Sequence, residues 1–409
     1  MANRIVVLLF CTVLVLLGTS TAGAQIAPSS LPLLRVEDLH YEGAFRLPTM
    51  SSRSPSQDSP SSAMEYNPAR RSLYVVDGGS ETAIAEVAIP PLSRSTLLSE
   101  MKVAAPTLQT FIETRPHLEK VGGHQSRRIS GLSLLNRASG TELLVNTRVD
   151  DSGSSGNFPT TFVLRNADNL TQERTTEAFT FVSHASGSLG WISAVPSEWQ
   201  QALGATHIMG QSNVARMNTG PGVVAFDSTA ITTGAQLPSS VETATLLSFD
   251  TSHPLHPDLM NRSRTNDLWT YVSHAAYGFI PPGTSTCVTV GNSGGHRSGV
   301  CHSCRQTTTA VCRGYCPSDP SDSSPYFWLW DVNELLAVKA GQKKAYSLRP
   351  YAHGPFPTPL PTKEITSGTF DPALGLLYLT TDSVVLTYRL PGAQPDNRAP
   401  APPSGVHLR

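Results

Sequence analysis

The stretch 63-AMEYNPARRSLYVVDGGS-80 recurs near the other end of the chain as 367-SGTFDPALGLLYLTTDS-383. When the two prolines are aligned, Tyr74 falls on Tyr378 and apolar positions coincide on both sides of it. Each copy is typical of a strand, an Asn/Asp-Pro turn and a second strand, because apolar residues there alternate or run together between turn residues. The chain is therefore expected to be built from repeats.

Weaker copies of this unit fill the middle of the sequence. They are 130-SGLSLLNRASGTELLVNT-147, 189-LGWISAVPSEWQQALGATHIMGQS-212 and 277-YGFIPPGTSTCVTVGNS-293. The copies start roughly 60 to 90 residues apart, which leaves room for about four strands in each unit.

Repeated four-stranded units predict an all-β fold, a β-propeller of five, or at most six, four-stranded blades with short helical decorations. Residues 41–47 then supply an outer strand beside 384–390 and close the ring. Helices are expected at 197–204, with Ser197 as N-cap, and at 331–341, with Asp331 as N-cap. A two-layer β-sandwich is the alternative.

The first 24 residues have the features of a Sec-type signal peptide. Arg4 precedes an apolar run over 5–17, and Ala-Gly-Ala precedes Gln25. This run is shorter than the 20 or so residues that a membrane span needs. We therefore expect export to a secreted or periplasmic location, a single propeller domain over 35–390 with a Ser/Pro-rich loop at 51–62, and a Pro-rich disordered tail at 391–409.

Composition excludes some classes of partner. The 409 residues carry a net charge of −1, and charged residues make up only 15% of the chain. Scattered Lys and Arg give no footprint for nucleic acid and no basic patch for a membrane surface. We expect a monomer without a membrane span, whose partner is a small molecule or a protein that the sequence does not identify.

The segment 288-VTVGNSGGHRSGVCHSC-304 contains a G-x-S-x-G string around Ser293. A nucleophile elbow requires a helix after the serine, whereas a Gly-rich segment follows here. The other copies place a small polar turn at the same position. We therefore interpret Ser293 as part of a hairpin turn, on the face opposite the histidines described below, and the sequence provides no catalytic residue.

Five cysteines follow the signal peptide. Four of them lie in an insertion over 294–323, and in an exported protein their spacing favours disulfides over a zinc site. We predict disulfides among these four without a defined pairing, no bound metal, and a buried Cys287 within a strand. The four cysteines are Cys301, Cys304, Cys312 and Cys316.

A Ser-His-Ala string recurs in 181-FVSHASGSLGWI-192 and 271-YVSHAAYGFI-280, just before two of the repeats. By analogy with other propellers, such positions lie on loops that enter the innermost strands. The candidate ligand-binding residues are His124, His184, His274 and Glu364. Imidazoles that converge there can bind a ligand or transfer protons, and the alternative is that they cap strand ends. Carboxylates are scarce, Glu65 and Glu364 being the main ones, which argues against a glycosidase.

Several strings resemble a group of secreted, mostly uncharacterised bacterial propeller-type proteins: 41-YEGAFRLP-48, the two YNPARRSLYVV and FDPALGLLYLT copies, 195-VPSEWQQALG-204 and 335-LLAVKAGQ-342. The resemblance covers most of 35–390 and implies a propeller fold and export, without a settled activity or cofactor. Two functions remain open at this point. One is an exported binding module. The other is a hydrolase or lyase that uses His124, His184 and His274, with or without a metal.

Overall fold

The computed structural model describes the following residues: 28–48, 63–77, 81–104, 107–114, 127–138, 140–149, 159–172, 175–176, 178–182, 190–211, 219–231, 238–302, 314–361, 364–381 and 383–391. Within them, five small antiparallel sheets follow one another along the chain. The structure is therefore mostly β, as the repeats predict.

Each sheet is one blade, and its strands run outward in chain order. Blade 1 holds β2 (Met64–Asn67), β3 (Ser72–Val76), β4 (Ala83–Ala88) and β5 (Thr107–Glu113). Blade 2 holds β6 (Arg127–Arg137), β7 (Gly140–Val149) and β8 (Thr161–Leu164). Blade 3 holds β10 (Ile192–Ala194), β11 (His207–Gly210), β12 (Val223–Phe226) and β14 (Ala244–Leu247). Blade 4 holds β15 (His274–Phe279), β16 (Thr286–Gly294), β19 (Ser323–Asp331) and β20 (Ala352–Pro355).

Blade 5 combines the two ends of the domain. It holds β21 (Ser367–Asp371), β22 (Leu376–Thr381) and β23 (Val384–Arg389), and its fourth strand is β1 (His40–Arg46), which pairs antiparallel with β23. The closing strand predicted at 41–47 is thereby confirmed. Because this pairing joins the first and last strands in the sequence, it covers an edge that would otherwise remain unpaired.

The five inner strands contact one another in a ring. β2 lies beside β6 and β21, β10 lies between β6 and β15, and β15 lies beside β21. This arrangement is a five-bladed β-propeller, and the β-sandwich alternative is wrong. The inner strands approach closely where they carry glycine: a Cβ on Gly131 would lie 2.1 Å from the carbonyl oxygen of Gly190.

The alignment of the two clearest repeats is confirmed residue by residue. Tyr74 pairs with Glu65 in blade 1, and Tyr378 pairs with Thr369 in blade 5. In both hairpins the residue before proline forms an Asx turn, with the side-chain oxygen of Asn67 or Asp371 accepting the N–H two residues later. The short polar side chain thus fixes the turn.

Other parts depart from the expectations. Blade 2 has three strands among the described residues, and isolated bridges from β8 to Thr175 and Phe179 stand where a fourth strand was expected. Two remaining sheets each have two strands, β9 (Thr180–Val182) with β13 (Ser240–Glu242) and β17 (Val300–His302) with β18 (Tyr315–Pro317). The loop at 51–62 and all but the first residue of the tail at 391–409 lie outside the described residues.

Two short α-helices among the described residues lie outside the blades. α1 (Ser197–Leu203) begins after Pro196, which is its N-cap, so the predicted cap at Ser197 is wrong by one residue. α2 (Val332–Lys339) has the predicted N-cap, since the Asp331 side chain accepts a hydrogen bond from the N–H of Asn333. α2 packs against β14 of blade 3 and β19 of blade 4, and α1 packs against α2.

Candidate functional site

The central channel is bounded by the five inner strands. Each is the first strand of its blade, so all five run in the same direction, and we call the end at which they begin the entry end. His274 is the first residue of β15 and therefore lies at this end. Its register partner is Asn292 on β16.

The His274 ring is buried, with 6% of the residue exposed. Its Nε2 lies 2.9 Å from Nδ2 of Asn292, whose amide also bonds both the N–H and the carbonyl of Ile365 just before β21. The amide nitrogen donates, so Nε2 accepts. Nδ1 is buried and makes no hydrogen bond of good geometry among the described residues.

Two charged groups act on His274. Burial lowers its pKa and Arg148 adds to that shift, whereas the Glu364 charge and a weak hydrogen bond to the backbone of Val272 oppose it. The imidazole is therefore neutral at pH 7. Arg148, at the end of β7, is itself buried and lies 3.6 Å from Oε2 of Glu81, which also pairs with Arg128 at 2.6 Å.

The predicted ligand-binding residues are only partly described. His274 lies at the entry end, as the first residue of β15 and not on a loop, and Glu364 lies exposed just before β21. His124 and His184 lie outside the described residues, so their convergence with His274 stays a prediction.

Five polar side chains on the inner strands form a second cluster, which the sequence did not predict as a set. Each inner strand contributes one member: Glu65, Ser133, Ser193, Tyr277 and Thr369. We call these five residues the waist ring. Within it, the Glu65 carboxylate accepts hydrogen bonds from the Leu134 N–H at 2.9 Å and the Thr369 hydroxyl at 3.0 Å.

The waist ring is electrostatically coupled. Ser133 also hydrogen-bonds Glu65, and Ser193 hydrogen-bonds Tyr277. Burial raises the pKa of Glu65 to about 7. The hydrogen bonds to its carboxylate oppose this shift, because they favour the charged form. Burial and, to a smaller extent, the Glu65 charge raise the pKa of Tyr277. Four members are buried, and Glu65 as a residue is half-buried.

Sequence reasoning did name Glu65, but as an isolated carboxylate. The signal that would have found the ring is positional, since Glu65 and Thr369 are each the third residue of the copies 63–80 and 367–383. In the weaker copies Ser133, Ser193 and Tyr277 stand at the fourth, fifth and first positions. The register is irregular before two of them, between Ile129 and Gly131 in β6 and between Ala275 and Tyr277 in β15.

Ser293 does not lie in a turn. It is within β16 and pairs with Ser324 on β19, and the chain reverses later, at Gly295 and Gly299 with φ of +71° and +77°. It also lies next to Asn292 at the entry end, so the predicted placement on the opposite face is wrong. The reason is that β16 returns antiparallel to β15 and ends where β15 begins.

The cysteine insertion is described over 294–302 and 314–323. Cys301 on β17 faces Cys316 on β18, with the two sulfur atoms 3.4 Å apart. A disulfide requires about 2.05 Å, so this pair is adjacent without being bonded to each other. Cys304 and Cys312 lie outside the described residues. Cys287 is buried in β16, as predicted.

Within the described ranges, no group of three or more His, Cys, Asp or Glu side chains is arranged to hold a metal ion. None of the helices in this part of the chain is long and apolar enough to cross a membrane.

No protein-family model matches the sequence. No curated protein matches it either.

Proposed function

We propose that this protein is an exported binding module that takes up a small molecule or a protein partner at the entry end of its channel. The signal-peptide features of residues 1–24 support export, and the resemblance to secreted bacterial propeller-type proteins agrees with it. A propeller fold is consistent with such a role, since the ring gathers side chains from five blades around one channel.

The observation that carries the binding role is Nδ1 of His274, which makes no well-formed hydrogen bond among the described residues. Buried polar atoms are nearly always hydrogen-bonded, and leaving one unpaired costs about 1–3 kcal/mol. Here that atom lies at the end of an inner strand, within the electrostatic reach of Arg148 and Glu364. A ligand that bonds Nδ1 removes this cost on binding. His124 and His184 are proposed to line the same entry end.

The test is a thermal-shift screen of the mature chain, residues 25–409, against separate panels of carboxylic acids, sugars and amines. A ligand of the entry end stabilises the native protein, and His274→Phe abolishes the effect. His353→Phe is the matched control, because His353 is half-buried on the outer strand of the same blade. Stabilisation that survives His274→Phe contradicts the assignment.

Export is tested separately. The protein is produced from its full gene in a bacterial host, and the extracytoplasmic fraction is analysed by N-terminal sequencing. We expect a mature chain that begins at Gln25. An uncleaved chain retained in the cytoplasm contradicts export but leaves the binding assignment intact.

The alternative function is an extracytoplasmic hydrolase or lyase, with or without a metal. One observation favours it: burial lowers the pKa of His274, so the imidazole is neutral and able to accept a proton at pH 7. The test is turnover of ester, glycoside and uronate-polymer substrates with and without added Zn²⁺. Activity that is lost in His274→Gln, His124→Gln and His184→Gln alike supports an enzyme.

A further inference from the structure

The waist ring is a second candidate site, separate from the entry end. His274 and Tyr277 lie on the same strand, so the ring lies deeper in the channel than the entry-end histidine. Every blade contributes to it, and all five side chains present oxygen atoms. Within the described residues, no Arg, Lys or His side chain forms an ion pair with Glu65.

Among the described residues, this composition leaves the Glu65 carboxylate without an ion-pair partner. An ionised carboxylate that is largely enclosed by protein is costly unless it is hydrogen-bonded and paired with a cation. Glu65 has the hydrogen bonds, from Leu134, Thr369 and Ser133, but these donors are neutral. A bound positive charge would supply what the described residues lack.

We propose that the waist ring binds the ammonium group of a small primary amine. An ammonium carries three N–H donors and one positive charge, and it accepts nothing. The ring offers it one carboxylate and the lone pairs of the Ser193, Tyr277 and Thr369 hydroxyls. A divalent metal suits the ring less well, because Ca²⁺ takes six to eight oxygen ligands and usually several carboxylates.

Binding of an ammonium competes with protonation of Glu65. The carboxyl must be ionised to pair with the cation, so affinity falls at pH values below its pKa of about 7. The other groups packed against Glu65 do not titrate in this range. Ser133 and Thr369 are hydroxyls, and Tyr277 has a pKa raised above its ordinary value of 10.0 and stays neutral.

The experiment measures the thermal midpoint of the mature protein with methylammonium chloride at pH 8.0 and pH 5.5. Sodium chloride and tetramethylammonium chloride serve as matched salts, because the second has the same charge but no N–H donor. We expect methylammonium to raise the midpoint at pH 8.0 by roughly 2 °C at ten times its Kd, and the two other salts to have no comparable effect. The apparent affinity falls about tenfold for each pH unit below the carboxyl pKa.

Glu65→Gln is the decisive variant, and Glu242→Gln is its control, since Glu242 is exposed on β13, which is not an inner strand. The first abolishes the methylammonium effect, and the second retains it. If Glu65→Gln does not fold, Ser193→Ala replaces it and weakens the apparent affinity severalfold. An equal response to sodium or tetramethylammonium, or a response that survives Glu65→Gln, overturns the proposal. None of these outcomes depends on whether His274 binds a ligand.

Discussion

The Ser293 hydroxyl lies 2.7 Å from Nε2 of His296, so the strand serine has a histidine partner. The other ring nitrogen, Nδ1, lies 2.8 Å from the carbonyl oxygen of Asn266, which can only accept. In the neutral ring Nδ1 therefore carries the proton, and Nε2 accepts from Ser293. The Ser273 hydroxyl lies 2.6 Å from Ser293 and, by elimination, donates to it.

This chain of hydrogen bonds resembles a serine and its general base, but Ser293 is only 1% exposed. We expect the Ser293 hydroxyl to hold the segment before β15 against β16 through its hydrogen bond to Ser273. Ser293→Ala should lower the free energy of unfolding by about 1–3 kcal/mol, because it leaves buried partners unpaired. Urea unfolding measures this, with half-buried Ser324→Ala as a control expected to change little. Covalent labelling of Ser293 by a fluorophosphonate would contradict the structural role.

Glu65→Gln should change how stability depends on pH. In the folded protein the carboxyl pKa is about 7, against about 4.3 in an unfolded chain. The folded state therefore holds the proton more tightly, and the native protein loses stability as pH rises from about 4.3 to 7. The free energy of unfolding of the variant, taken relative to that of the native protein, should therefore rise by on the order of 3 kcal/mol between pH 4 and pH 8. Urea unfolding across this range is the measurement, and a difference independent of pH would refute the expectation.

Gly131→Ala should destabilise the ring. The added Cβ would lie 2.1 Å from the backbone oxygen of Gly190, which cannot move without separating two inner strands. We expect a loss of about 2–4 kcal/mol, in the range of severe overpacking. Gly354→Ala is the matched control on outer strand β20, where the nearest atom is 3.5 Å away on the Phe327 ring. Equal thermal midpoints for the two variants would show that the inner strands are not closely packed at Gly131.

Cys287 should be inert in the folded protein. It is 0% exposed, and burial raises the pKa of its thiol to about 12, so almost no thiolate forms at pH 8. Iodoacetamide should modify it only after unfolding. Peptide mapping by mass spectrometry measures this. Cys301 is partly exposed, so its modification under reducing conditions serves as the comparison. Rapid modification of Cys287 without denaturant would contradict its burial.

The same mapping without reductant tests the disulfide prediction for Cys301, Cys304, Cys312 and Cys316. We expect linked peptides from within this group. Recovery of all four as free thiols from the exported protein would refute the prediction.

The sequence by itself determined the repeat and its consequences. Paired copies around Asn67 and Asp371 specify strand, Asx turn and strand, because these are local choices made by polar and apolar residues a few positions apart. The closing strand β1 was also predictable, since the last blade of the ring lacks one strand that the start of the domain can supply. The buried Cys287 followed from its position within an apolar run.

Only the tertiary structure decided which side chains meet. Glu65 and Thr369 are hydrogen-bonded although 304 residues separate them. The waist ring needs the rotation of five strands around one axis and a bulge in β15, neither of which has a signature in one-dimensional spacing. Ser293 was misplaced for the same reason. Glycine and serine specify a turn locally, but pairing across β15, β16 and β19 keeps this segment extended, because strand hydrogen bonds on both sides outweigh the local preference.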